Sequence, residues 1–143
     1  MELTEAILGK KGVYSRTVAE SDVYLFGGIT GDLHFNHFNE EFMKTTEYGT
    51  RMAHGILILG MMSTAGARLN EREGWTTVSY GYDRIRFIRP VLIGDTISAE
   101  YKVVRIDPEN QKYYAEVTCK NQHGTLVCVA THVAKFYDAY EDR

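Results

Sequence analysis

The chain has 143 residues, 44% hydrophobic and 24% charged, the balance of an ordinary soluble globule and a length that fits one domain over 1–143. A net charge of -3 with no long run of Lys or Arg lacks the electrostatic footprint of a nucleic-acid binder. The longest apolar stretch, Ile56 to Met62, is far short of the ~20 residues of a membrane span, and the opening MELTEAILGKKG has no basic-then-apolar leader pattern, so a cytoplasmic protein binding neither nucleic acid nor membrane is the expectation.

In chain order, Val13 to Val18 reads as a short strand. Ser21 is placed to cap a short helix carrying Tyr24, with Gly27 and Gly28 as its stop. Thr30 to His37, TGDLHFNH, mixes turn formers with polar groups and reads as a loop. Asn39 caps a helix over Glu40 to Tyr48, whose acidic first turn suits the positive end of the helix dipole, and Gly49 closes it. Ala53 to Asn70 is the strongest helix. Its apolar residues, from Ile56 and Leu57 to Ala67 and Leu69, cover nearly every face, so it must be buried on most sides, with protein as the surrounding medium.

Everything after that helix reads as strand. Thr76 to Tyr82 alternates Val78, Tyr80 and Tyr82, and the alternation then shifts to Ile85 and Phe87, which predicts a bulge near Asp83. Thr96 to Ile106, Lys112 to Lys120 and Thr125 to Tyr137 follow, with turns at Pro90, Gly94-Asp95 and Pro108 to Asn110, and the tail from Asp138 to Arg143 is polar and expected to fray. A tight hairpin over Asn121 to Thr125 would set Cys119 opposite Cys128, and both are expected as buried, reduced small hydrophobes. One buried helix followed by strands at meander spacing implies an α+β domain in which an antiparallel sheet wraps around one long central helix.

Polar groups cluster just before the apolar helix: Asp32, His34 and His37 on the loop, His54 and Gly55 at the helix start. Adding water across a double bond conjugated to a thioester needs a base, a proton donor and hydrogen-bond donors aimed at the thioester oxygen. An ionised Asp32 can accept a proton from a bound water, and His37 can hold the same water or act as the second proton carrier. Gly55 offers an unpaired first-turn N–H reinforced by the helix dipole, and its lack of a side chain admits a close approach. Each residue alone has a plainer reading. Asp32 can cap a turn after Gly31, His37 can be a satisfied loop histidine, and Asp32, His34 and His37 could together bind a metal. His54 reads as a brace for the loop, His123 as a turn residue and His132 as a satisfied core histidine. Arg84, Arg86 and Arg89 could hold a few phosphates or form the solvated face of a strand.

GITGDLHFNHFN followed by MAHGILILGMMS resembles the MaoC-like hydratases, which include the (R)-specific enoyl-CoA hydratases. Asp32 and His37 match the family's Asp-x4-His pair, His54-Gly55 its helix-start dipeptide, and RFIRPVLIGDTI its strand and Gly-Asp-Thr turn. The chain departs at His34 and Phe35, where most relatives carry Asn and Pro. The resemblance implies a hot-dog fold, a homodimer or higher oligomer with sheets joined edge to edge, an acyl-CoA substrate in an interface tunnel, and no metal or redox cofactor. It implies a hydro-lyase that converts a trans-2-enoyl-CoA to a (3R)-hydroxyacyl-CoA or the reverse. It assigns Asp32, His37 and Gly55 to catalysis and places Ser63 beside the catalytic water, while His54, Arg84 and Arg86 are the expected substrate contacts. The rival readings are a hot-dog acyl-CoA thioesterase, which commonly needs a carboxylate on a helix that has none from Ala53 to Asn70, and a non-catalytic acyl-thioester binder, which would not need the Asp32/His37 pair.

Overall fold

The computed structural model describes residues 3–138, so most of the polar tail lies outside the described residues. Five strands form one antiparallel sheet: β1 (Lys11–Thr17), β2 (Thr77–Phe87), β3 (Thr96–Asp107), β4 (Lys112–Lys120) and β5 (Leu126–Phe136), in the order β1-β3-β4-β5-β2. Four helices precede β2: α1 (Glu20–Thr30), the single turns α2 (Phe35–Phe38) and α3 (Glu40–Met43), and the long α4 (Gly55–Glu73). The sheet curls around α4, which packs on β1, β3 and β4. This is the α+β hot-dog arrangement, and among the described residues no helix is long and apolar enough to cross a membrane.

The period-two pattern of the later strands maps onto burial as expected. Ile97, Ala99, Tyr101 and Val103 of β3 and Tyr113, Ala115, Val117 and Cys119 of β4 face α4, while Ser98, Glu100 and Lys102 face solvent. Ile58, Met61, Met62, Ala65 and Leu69 form the buried face of α4 against them. Cys119 and Cys128 are direct partners across the β4–β5 ladder, both free thiols, and burial raises their pKa values to about 12 and about 11.

The helix boundaries differ from the sequence reading, each for a local reason. α1 is capped at Ala19, whose N–H donates to the Asp22 carboxylate at 2.8 Å, rather than at Ser21. It runs through Gly27-Gly28 because Gly27 is a packing glycine: a Cβ there would lie 2.3 Å from the Phe38 ring. The chain turns instead at Gly31, in the left-handed region at φ 81°. Asn39 does cap α3, accepting from Phe42 N–H, but α3 lasts one turn. The α4 start moves to Gly55 because Ala53 N–H is taken by the Val91 carbonyl and Met52 bridges Leu92. α4 is also not buried on most sides: Ile56, Gly60, Ser63 and Ala67 form an exposed stripe, with Ile56 57% accessible.

β2 is an edge strand, so its expected inward row is only partly inward. Register shifts fall at Ser79/Gly81 and Asp83/Arg86, the second being the expected bulge, with Arg84 at φ 53°. Val78 and Tyr80 are exposed, and the Lys112 ammonium sits over the Tyr80 ring. Ser79 and Tyr82 turn inward to His132: Ser79 Oγ bonds Nε2 at 2.8 Å and Tyr82 stacks on the ring. His132 Nδ1 bonds Tyr101 Oη, which continues to Tyr113 Oη and Asn70 Oδ1. Burial lowers the His132 pKa to about 4, so it sits in the core as a neutral, satisfied imidazole.

β1 reaches α4 through Gly12, where a Cβ would lie 1.9 Å from the Ala65 carbonyl oxygen, backbone against backbone. Gly12→Ala must therefore push the strand off the helix, at a cost of about 3 kcal/mol by analogy with overpacked cores. For a domain of this size that is a fall in Tm on the order of 10 °C, read by thermal unfolding. A Tm within ~1 °C of the parent would show that the contact yields freely.

Candidate active site

The C-terminus of α1 delivers the loop. Thr30 ends the helix, Gly31 turns the chain, and exposed Asp32 follows. His54, the residue before α4, is 2% exposed and lies among the Phe26, His37 and Phe38 rings. Its Nε2 is 2.8 Å from the Asp32 carbonyl oxygen. A carbonyl can only accept, so Nε2 carries the proton and Nδ1 keeps a lone pair, which is buried without a partner. His54 is thus the loop brace expected from the sequence, with its donor spent on the loop rather than open for substrate.

His37 sits on α2, a helical turn where a loop was expected. His34 precedes that turn, and its Nδ1 donates to Asn36 Oδ1 at 2.6 Å, which ties the start of the turn to its second residue. A backbone carbonyl fixes the His37 tautomer as well. Nδ1 is 2.7 Å from the Met52 carbonyl and must donate, which leaves Nε2 as an acceptor. Desolvation lowers the His37 pKa below its usual 6.5, the Met52 bond opposes this, and His54 adds to it. His37 is therefore neutral near pH 7.

One carboxylate oxygen of Asp32 and one ring nitrogen each of His37 and His54 lie within 4.8 Å of one another. The converging histidine is His54, not His34, which is exposed and packed on Phe35. The rings of His37 and His54 stack at 3.8 Å with 28° between their planes. Each ring spends one nitrogen on a backbone carbonyl, Met52 for His37 and Asp32 for His54, so each has one nitrogen left to offer.

His37 and Gly55 line the same cavity, of about 360 Å³, with Ile56, Ile58, Phe87, Val91 and Val127 as apolar walls. Gly55 opens α4, so its N–H belongs to the unpaired first turn. A Cβ at this position would lie 2.8 Å from the Phe87 ring, so only glycine lets β2 close on the helix start. Arg51, not anticipated from the sequence, ties the surrounding elements together: it bonds Glu40 at 2.8 Å, Tyr24 at 2.8 Å and Glu20 at 2.9 Å, joining α1, α3 and the approach to α4.

Of the seven expected site residues, His37 and Gly55 line this cavity, Asp32 and His54 converge on His37 without lining it, and Ser63, Arg84 and Arg86 lie elsewhere within the single chain. Ser63 is two turns along α4, roughly 12 Å from Gly55 by helix rise, on the exposed stripe and beside the Tyr82 hydroxyl. Arg84 lies on the outer face of the sheet in a hollow with Val104, Arg105, Tyr114 and Glu116, where the bulge turns it away from α4. Arg86 is exposed and bonds the Ile85 carbonyl. The arginine that does line the cavity is Arg89, which follows β2 and which the strand pattern does not separate from Arg84 and Arg86.

The chain has relatives among known proteins. The family description "MaoC like domain" matches residues 6–125. The (R)-specific enoyl-CoA hydratase of Rhodospirillum rubrum is 36% identical over 111 residues, 78% of this chain and 75% of that protein. The 3-hydroxybutyryl-CoA dehydratase of Methylorubrum extorquens is 32% identical over 112 residues, 78% of this chain and 69% of that protein. Among solved structures, the unliganded (R)-hydratase PhaJ1 of Pseudomonas aeruginosa superposes with a TM-score of 0.79 at 27% identity, over 95% of this chain and 89% of that one. An (R)-hydratase of A. caviae shares the fold, with a TM-score of 0.84 at 21% identity over 94% and 100% of the two chains. By sequence and architecture together, the chain belongs to the MaoC-like domain family.

Proposed function

We propose that this protein hydrates trans-2-enoyl thioesters of coenzyme A or a related carrier to the (3R)-hydroxyacyl thioesters, or runs the reverse dehydration. The observation that carries the reading is the convergence of the Asp32 carboxylate with His37, where His37 and the free helix-start amide of Gly55 share one apolar cavity. A water held between Asp32 and His37 Nε2 gives its hydroxyl to C3 of the substrate. Its proton, taken up by the pair, goes to C2, so the pair ends as it began. The thioester oxygen gains charge in between and is met by Gly55 N–H, a donor worth about 3 kcal/mol of barrier lowering in comparable sites. Every proton moves between protein, water and substrate, so the reading needs no metal or redox cofactor. The (R) outcome is supported by the names of the relatives in Rhodospirillum rubrum and Pseudomonas aeruginosa.

The thioesterase reading lacks its carboxylate. The acidic residues of α4 are Glu71 and Glu73, in its last turn and roughly 24 Å or more along the axis from Gly55. A purely binding role leaves the Asp32/His37 pair without a task. We also propose that a second copy of the chain completes the molecule. The exposed stripe of Ile56, Gly60, Ser63 and Ala67 and the open edge of β2 with Val78 and Tyr80 are apolar surfaces of the kind that oligomers cover.

Asp32→Asn is expected to lower the hydration rate of crotonyl-CoA by at least ~100-fold with the circular dichroism spectrum unchanged, as for loss of a general base; near-parental activity would overturn the assignment. The pH profile of kcat/KM should fall on the acid side with a midpoint below 6.5, because protonation removes the Nε2 acceptor of His37, and His37→Gln should remove that limb. Sedimentation at working concentrations should show a dimer or larger species, and a monomer alone would contradict the second copy.

A further inference from the structure

Among the described residues, Arg89 is the only formally charged side chain lining the cavity that holds His37 and Gly55. It is exposed and makes no ion pair or side-chain hydrogen bond among the described residues, unlike Arg16, Arg51 and Arg72, which are paired with carboxylates. Its backbone is nevertheless held firmly. Ile88 and Arg89 N–H both donate to the Val127 carbonyl of β5, and after Pro90 the Val91 carbonyl accepts from Ala53, two residues before α4 begins. The backbone of Arg89 therefore stands at a defined place between the end of β2 and the helix start, and its exposed side chain lines the rim of a cavity with apolar walls.

An unpaired cation at the mouth of an apolar cavity has no structural task, and its position selects what it can meet. The interior offers Ile56, Ile58, Phe87 and Val127 for an uncharged chain, and the N–H of Gly55 and Nε2 of His37 for a reacting carbonyl and water. A strongly hydrated anion belongs at the water's edge, where Arg89 is. The planar fork of a guanidinium matches phosphate oxygens in paired hydrogen bonds, and no carboxylate among the lining residues competes for it. We infer that Arg89 binds a phosphate of the carrier arm to which the acyl thioester is attached, so that the arm is fixed at the rim while the thioester reaches Gly55. The inference rests on the thioester reading for the nature of the ligand. The phosphate is chemistry shared by coenzyme A and a phosphopantetheine-bearing carrier protein.

Calorimetric binding of unreactive saturated thioesters tests this without depending on turnover. Arg89→Ala should bind butyryl-CoA about 10-fold or more weakly, as expected for loss of one charge-assisted hydrogen bond, with Arg89→Lys intermediate. Butyryl-pantetheine, which has no phosphate, should bind parent and variant alike. Butyryl-phosphopantetheine separates the sources: a loss equal to that of butyryl-CoA assigns the phosphate common to both carriers, and a loss confined to butyryl-CoA assigns a phosphate of its nucleotide. Arg105→Ala removes the same formal charge from the outer sheet face and should leave butyryl-CoA binding at the parental value. Equal losses for butyryl-CoA and butyryl-pantetheine, or equal losses for the Arg105 and Arg89 variants, would overturn the inference. A parent that binds butyryl-CoA through Arg89 yet hydrates no enoyl thioester would remove the hydration reading and leave this one standing. A parent that hydrates crotonyl-CoA, with butyryl-CoA binding untouched by Arg89→Ala, would do the reverse.

Discussion

The buried imidazole of His54 couples the helix to the loop. It precedes the first residue of α4, donates through Nε2 to the Asp32 carbonyl, and lies flat against His37. A single ring thus carries the position of the core helix into the loop that bears the carboxylate and into the turn that bears the second histidine. Its environment of Phe26 and Phe38 makes any other arrangement costly, because a buried N–H without an acceptor loses a full hydrogen bond. Asp32 can remain exposed and still be placed, because its backbone, not its carboxylate, is what the core holds.

The same economy of contacts sets the other half of the site. Gly55 is pressed by Phe87, Gly12 by the Ala65 carbonyl, and Gly66 by the Tyr101 ring, so α4 touches β1, β2 and β3 at places where a side chain is excluded. Close approach brings the end of β2 to the opening of the helix, and with it Arg89 and the apolar cavity wall. The bulges in β2 then divide its arginines: Arg84 goes to the outer face and Arg89 to the rim.

A one-turn helix begun at His34 carries the chain from the loop of Asp32 to His37. Asp32 and His37 keep their spacing and still converge, since His54 and the Met52 carbonyl anchor them independently of the residues between.

Much of this was written in local pattern. Alternation in residues 96–106, 112–120 and 125–137 specified three strands and their buried faces, and the facing cysteines followed from the hairpin between them. The apolar run after His54-Gly55 specified the core helix, and the Asp-x4-His spacing with that dipeptide marked the site. Tertiary contact decided the rest. Gly27 read as a helix stop because a glycine is weak in isolation, yet Phe38 requires it inside α1. Val78 and Tyr80 alternate as the buried rows of β3 and β4 do, yet they are exposed, because alternation carries no information on which strand lies at an edge. Arg84, Arg86 and Arg89 were indistinguishable along the chain, since a bulge reverses the facing of every residue after it. Periodicity is a property of neighbours in sequence, whereas the cavity is made by segments that meet only when the sheet closes on the helix.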